Sequence, residues 1–480
     1  MKFNNKIYEN EELTYSDVFI FQNYFEGKSR LEIDITPTHS FGTKNPIVVA
    51  NMNAVAGKRM AETMARYGGL VVLPQDMSLD TLERVIKHVK NANPKYDTPI
   101  TVKANNTIRD AMGIIHKRDH NCVIMIDDKN KATGIFKPKD LKNLDQFSLL
   151  GNIEKSKLIT GLEGISNQEA FELMDKNNIS SLPIVDKKGI LKGILTKKNT
   201  IRNEIYSPTL DKDGKLNLAV AVGINSFEEK VHKLHEWGIN IFVLDTAHGY
   251  QKSMIENIKK FRKIFGDKPT LIAGNVITES ATRNLIKAGA NGVKVGIGPG
   301  AMCTTRMKTG VGRPQFTAVY KCSQEAKKHG GFVRADGGIR SPRDMNLALA
   351  AGANHVMRGS LFAGTFESVG DVKYDNDGSM YKDNYGMASQ KAVNLRNQNT
   401  SKFELAKRAM FREGISSSKI YITKGRESVG DIVDEFTAGL RSAMTYVGAN
   451  DLKEFHEKAV VGVQTNAGFT EGEPLGKMKK

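Results

Sequence analysis

Cysteine is scarce in this chain: three occur in 480 residues, at positions 122, 303 and 322, far apart and odd in number. That pattern excludes a disulfide framework and fits a reducing compartment. No CxxC pair and no His/Cys cluster offers a zinc site. No apolar run approaches the length that crosses a bilayer. The opening MKFNNKIYENEELTY lacks the apolar core of a secretory signal. No membrane partner and a cytoplasmic location are therefore expected. The formal charge of +17 invites a nucleic-acid reading. The lysines, however, are spread over solvated helix faces, as in IKKFRKIF (258–265), and no basic block is interleaved with aromatics. No nucleic-acid partner is expected, and the positive potential instead favours recruitment of phosphorylated small molecules.

The composition, 40% hydrophobic and 26% charged, is that of a globular protein large enough for more than one domain. Short β-branched runs at about 46–50, 69–73, 216–222, 241–245, 270–273, 292–295, 331–335 and 355–357 read as strands. Most are followed by helix-period stretches such as KRMAETMARYG (58–68). This alternation predicts an α/β fold, a (β/α)8 barrel. The doubly wound open sheet is the alternative, and no GxGxxG after the first strand supports it.

Residues 93–206 interrupt the alternation, leaving 1–92 and 207–480 to the barrel and a C-terminal flap. The interruption contains an internal repeat, 101–141 against 161–201. Each half reads as an amphipathic helix, a strand, a charged turn, a second strand and a Lys-rich helix start. Neither half could bury its apolar face alone, so the two are expected to pack as a pair. The layout, with LPIVD (182–186) and GILT (193–196), resembles a tandem CBS (Bateman) module. That resemblance implies a regulatory site for ATP or GTP; an insertion that binds nothing is the alternative.

The richest chemistry lies in KVGIGPGAMCTTRMKTGVGRPQ (294–315). The loop that follows its strand is too glycine-dense for helix. It presents Cys303 among the hydroxyls of Thr304 and Thr305 and the charge of Arg306, a setting that suits a reactive thiolate. A structural thiol beside a turn is the alternative. Other candidates also follow predicted strands, where barrel chemistry gathers. They are Asn51-Met52-Asn53, Asp245, Gly274-Asn275, Asp336-Gly337-Gly338 and Gly359-Ser360. The last two glycine turns suit a phosphate, and Asp336 suits ribose hydroxyls. Spacing alone reads Glu413 as an exposed loop charge; under a mobile flap it would carry a proton.

GIGPGAMCTTR, RADGG, VMRGS, YGMAS and REG, in this order around a CBS-like insert, resemble the IMP dehydrogenase/GMP reductase family. The resemblance implies a barrel enzyme, a homotetramer or octamer, with a purine mononucleotide (GMP or IMP) and a nicotinamide cofactor. Cys303 would attack C2 of the purine, and Thr305 with Glu413 would complete the catalytic set. Met52, Asp336, Gly337, Gly338, Gly359, Ser360, Tyr385, Gly386 and Met387 would bind substrate. Asp245, Gly296, Ile297 and Gly298 would lie by the nicotinamide. Main-chain oxygens of Gly298, Gly300 and Cys303 would hold a monovalent cation, K+. Arg358 departs from the aliphatic residue expected before Gly359.

Within the family, the dehydrogenase needs a flap arginine to activate water. The stretch 416–423 holds Lys419 and Tyr421 but no arginine, and Arg426 comes late. Lysine replaces a planar guanidinium poorly. MKTGVG (307–312) and RSAMTYVGA (441–449) also look like reductase segments. The resemblance therefore implies the NADPH-dependent reductase, similar to bacterial GMP reductases that keep a CBS insert. Oxidation of IMP with NAD is the alternative.

Overall fold

The computed structural model describes residues 1–27, 29–154, 158–224, 227–386, 403, 407 and 418–474. Eight short strands close a parallel barrel. They are β1 (Ile47–Val49), β2 (Leu70–Leu73), β3 (Ala219–Val222), β4 (Ile241–Asp245), β5 (Thr270–Val276), β6 (Gly292–Val295), β7 (Phe332–Asp336) and β8 (His355–Arg358). β8 returns to β1, pairing Met357 with Val48 and Arg358 with Val49. All eight runs read as strands from the sequence are barrel strands.

The runs work because side chains alternate across a strand. Val48, Val72, Ala221, Val243 and Met357 form one cluster that fills the barrel. Val49, Val71, Val220, Leu244 and Val356 belong to a second cluster with the surrounding helices. Those helices are α1 (Lys58–Arg66), α2 (Leu79–Asn91), α3 (Phe227–Glu236), α4 (Lys252–Phe265), α5 (Glu279–Lys287), α6 (Gln315–Lys328), α7 (Pro342–Ala350) and α8 (Val429–Val447). Serine starts two of them with full capping boxes, Ser341 with Asp344 on α7 and Ser428 with Asp431 on α8.

Two local expectations change. Gly274 and Asn275 lie inside β5, which runs on to Val276 across a register shift against β6. The glycine-dense loop yields to a short helix, Thr305–Thr309, directly after Cys303. The glycines stop at Gly300, so TRMKT is free to wind until Gly310 ends it in the left-handed conformation (φ 71°).

Between α2 and β3 the repeat appears as two three-stranded sheets of the same design. Thr101–Val102 pairs in parallel with Val123–Ile126, which pairs antiparallel with Ala132–Phe136. Gly161–Leu162, Ser181–Val185 and Leu191–Thr196 repeat the pattern. Each unit thus carries a short leading strand that two residues could not announce by periodicity. The units do pack together: Cys122, Ile124, Leu191 and Ile194 form a shared buried cluster, and the Leu191 amide donates to Asn130 O at 2.9 Å. After β8, a small antiparallel sheet stands beside the barrel: β9 (Lys373–Tyr374), β10 (Met380–Asn384) and β11 (Ser418–Tyr421). Among the described residues no helix is long and apolar enough to cross a membrane.

Candidate active site

The carboxyl ends of the strands converge on a charged cluster. Lys294, in the otherwise apolar run of β6, points inward and is 4% exposed. Its ammonium lies 2.8 Å from Asp245 Oδ1 at the end of β4 and 2.8 Å from Asp336 Oδ2 at the end of β7. Burial is the largest single influence on this lysine and lowers its pKa. The two carboxylates together outweigh it, so the group is held above its ordinary value and stays charged. Asn51 donates to Asp245 Oδ2 at 2.7 Å, and Asn275 donates to Asp336 Oδ2 at 3.0 Å and to Gly296 O at 2.6 Å. Both carboxylates are therefore aimed by a cation and an amide.

The glycines bring the loops into contact. A Cβ on Gly296 would stand 2.1 Å from Asp336 O, which no other residue tolerates. Gly337 and Gly338 are both left-handed (φ 83° and 76°). A Cβ on Gly337 would lie 3.1 Å from Gly300 N and from Pro299 Cγ, so the DGG turn rests on the cysteine loop. Gly359 is covered by Met52, whose sulfur would be 2.4 Å from an added Cβ. The structure thus brings Met52, Asp336, Gly337, Gly338, Gly359 and Gly300 to one mouth.

Cys303 is exposed, whereas Cys122 and Cys322 are buried. Burial pushes both of those thiols up to about 12, which makes them inert. The Cys303 thiol donates to Thr305 Oγ1 at 3.3 Å, and its amide donates to Gly300 O at 3.0 Å. That hydrogen bond closes a turn between Gly300 and Cys303. Arg306 is folded across Gly298 and Gly312, with its Cγ 2.0 Å and 2.4 Å from where their Cβ atoms would be. It shapes the loop. Above it, Ser418 of β11 reaches Met302 Sδ at 3.7 Å, so the small sheet lies against the cysteine loop.

Tyr385 is half-buried at the end of β10. Its phenol pKa is raised by burial and by the charge of Asp76. Asp76 follows β2 and accepts from Asn53 Nδ2 at 3.2 Å. Sequence reading missed Asp76 and gave Lys294 no role. For Lys294 the signal was a lysine in GVKV at an inward parity; for Asp76 it was an acid just past a strand. Arg358 does not join the mouth. It shares the outward parity of Val356, lies 4.8 Å from the Phe436 ring and donates to Arg340 O at 2.9 Å. Glu413 and Met387 lie outside the described residues.

The sequence profile of the IMP dehydrogenase / GMP reductase domain matches residues 12–475. The chain belongs to this family. It is 46% identical over 465 residues to the GMP reductase of Mycobacterium tuberculosis, covering 97% of each chain. It is 37% identical to the inosine-5'-monophosphate dehydrogenase of Aquifex aeolicus, covering 96% of this chain and 94% of that one. Among solved structures it is similar to a cysteine-to-alanine variant of GMP reductase from Trypanosoma brucei in complex with guanosine 5'-monophosphate. That match has a TM-score of 0.67 and 29% identity, and covers 99% and 100% of the two chains. The family's barrel is thus the fold read from the strand pattern.

Proposed function

We propose that this chain is a GMP reductase, converting GMP to IMP and ammonia with NADPH. The observation that carries the reading is the exposed Cys303, hydrogen-bonded to Thr305 in a loop that touches the Asp336-Gly337-Gly338 turn. The Cys303 thiolate attacks C2 of the purine and forms a C–S bond. The C2 amino group takes a proton, supplied through Thr305 and Glu413, and leaves as ammonia. NADPH, when bound, supplies the hydride that C2 accepts. The C–S bond then breaks, the electron pair returns to sulfur, and IMP departs. Asp336 holds the ribose hydroxyls. Gly337, Gly338, Gly359 and Ser360 offer amides and a hydroxyl to the phosphate, while Tyr385, Gly386 and Met387 add contacts and Met52 lines the base. Asp245, Gly296, Ile297 and Gly298 face the nicotinamide, and oxygens of Gly298, Gly300 and Cys303 suit K+.

One observation separates this reading from IMP oxidation. A dehydrogenase needs a cation to activate water. Lys419 is bound to Asp375 at 2.9 Å, Tyr421 donates to the same carboxylate at 2.7 Å, and Arg426 pairs with Glu435 at 2.6 Å. These side chains are tied into the small sheet and α8. The greater identity to reductases than to dehydrogenases points the same way. Residues 93–206 are assigned as a tandem CBS module for ATP or GTP, supported by the repeated sheet design. The assembly is a cytoplasmic homotetramer or octamer. The test is nicotinamide absorbance with two substrate pairs. Loss of NADPH with ammonia from GMP is expected; NADH formed with XMP from IMP would overturn the reading.

A further inference from the structure

Lys382 is a lysine buried almost completely, outside the mouth of the barrel. It lies on β10, three residues before Tyr385, and is 1% exposed. Its ammonium donates to Phe366 O and Ser368 O, both at 3.0 Å. These carbonyls flank Glu367 in the turn that follows the barrel's last strand. Arg59 of α1 donates to the same Ser368 carbonyl at 3.1 Å. Glu367 turns the other way, is 2% exposed, and accepts from the Val429 amide at the start of α8 at 3.2 Å. Burying an ammonium against neutral carbonyls costs free energy, so the contact holds only while the turn keeps its place.

The far side of that turn meets the inserted repeat. The His116 ring lies 6.1 Å from the Phe366 ring, and Lys117 pairs with Asp371 at 3.1 Å. Asp119 is held by Arg202 at 3.2 Å, and its negative charge helps push the Glu367 carboxyl up. Arg202 also reaches Asp431 and Asp434 on α8, at 2.7 Å and 2.8 Å. An unbroken set of contacts therefore runs from residues 116–119 through the 366–371 turn to Lys382. From there the chain reaches Tyr385 in three residues. β10 pairs Asn384 with Ser418, and Ser418 touches the cysteine loop.

We propose that Lys382 is a positioning residue for Tyr385 and Gly386, and that the insert sets that position by pressing on the 366–371 turn. The proposal rests on the assignment of Tyr385 and Gly386 to substrate binding. Its chemistry is polar matching: if the turn moves, two carbonyls leave a buried ammonium, and β10 must move with them. Burial, together with the nearby Arg59 and Lys117, pulls the lysine down to about 7. Lys382 therefore gives up its proton more readily than a surface lysine does.

The test is a double-mutant cycle on the full chain, reading GMP KM, kcat and calorimetric GMP affinity. Lys382→Met is expected to raise GMP KM about tenfold, with kcat held within about twofold. Lys117→Ala, which breaks the 3.1 Å pair between the insert and Asp371, is expected to raise it about threefold. The double variant should match Lys382→Met alone, because both act through one turn. Wild-type KM in Lys382→Met would overturn the proposal. So would effects that multiply to about thirtyfold, since independent sites behave that way. If Lys382→Met melts below assay temperature, Asp371→Ala with Lys117→Ala carries the cycle, and an unchanged KM in both refutes the coupling. A wild type that binds GMP without turning it over would sink the reductase reading yet leave the affinity cycle to decide this one. A wild type that binds no GMP overturns both.

Discussion

Replacing Lys294 by methionine perturbs the centre of the site directly. The ammonium sits 2.8 Å from Asp245 and 2.8 Å from Asp336, with the carboxylates 17% and 20% exposed. At an effective dielectric of about 20, each contact is worth roughly 6 kcal/mol of gross attraction. Desolvation of the three groups offsets most of that. Removing the cation alone leaves two largely desolvated carboxylates close to each other, and breaking a buried pair in this way costs about 3–5 kcal/mol. One carboxylate is then expected to take up a proton, because like charges at one site do not both ionise. Where that carboxylate is Asp336, the ribose contact proposed for it weakens with the charge. Urea denaturation should show the stability loss, and the absorbance assay should show GMP KM rising at least tenfold, about 1.4 kcal/mol. Lys294→Met with Asp245→Asn should recover part of the stability. A Lys294→Met protein within about 1 kcal/mol of wild type, with unchanged KM, would refute the argument that this cation holds the mouth together.

Cys303→Ser should abolish turnover while calorimetric GMP affinity persists, since the hydroxyl keeps the turn but is a far weaker nucleophile. Glu367 is pushed up to about 8 by burial and by the charge of Asp119. The native state therefore holds a proton that the unfolded chain releases above the ordinary glutamate range, and stability falls as pH rises from about 5 to 8. Glu367→Gln should remove that slope, gaining about 3 kcal/mol at pH 8 relative to pH 5.5 in urea titrations; a parallel pair of curves would contradict it. Arg358 has Nε and Nη1 without hydrogen bonds among the described residues and is lowered by burial to about 10. Arg358→Leu should stabilise the chain by about 1 kcal/mol or more in the same titration with GMP KM unchanged; a raised KM would place the guanidinium by the phosphate instead.

The barrel was legible because it is built from local signals. Most strands are short β-branched runs, and the following helices have their own period, several with a Ser or Thr cap. The glycines at 296, 337 and 338 were legible as turns, and the structure supplies the reason for each: a carbonyl or a loop stands where a Cβ would be. The helix after Cys303 was hidden because five residues span too little of a helical repeat to show a periodic pattern. The first strand of each repeat was hidden for the same reason.

The sequence by itself determined the eight strands, the repeat, the exposed-loop cysteine and the order of the motifs, since all of these follow from short-range pattern. Only the tertiary structure decided which charges meet. Lys294 finds Asp245 and Asp336 from 49 and 42 positions away, and Lys382 finds a turn that the insert also touches. Pairings of that kind depend on barrel closure, which sets strands side by side regardless of their separation along the chain, and no local pattern encodes the distance between two side chains brought together in that way.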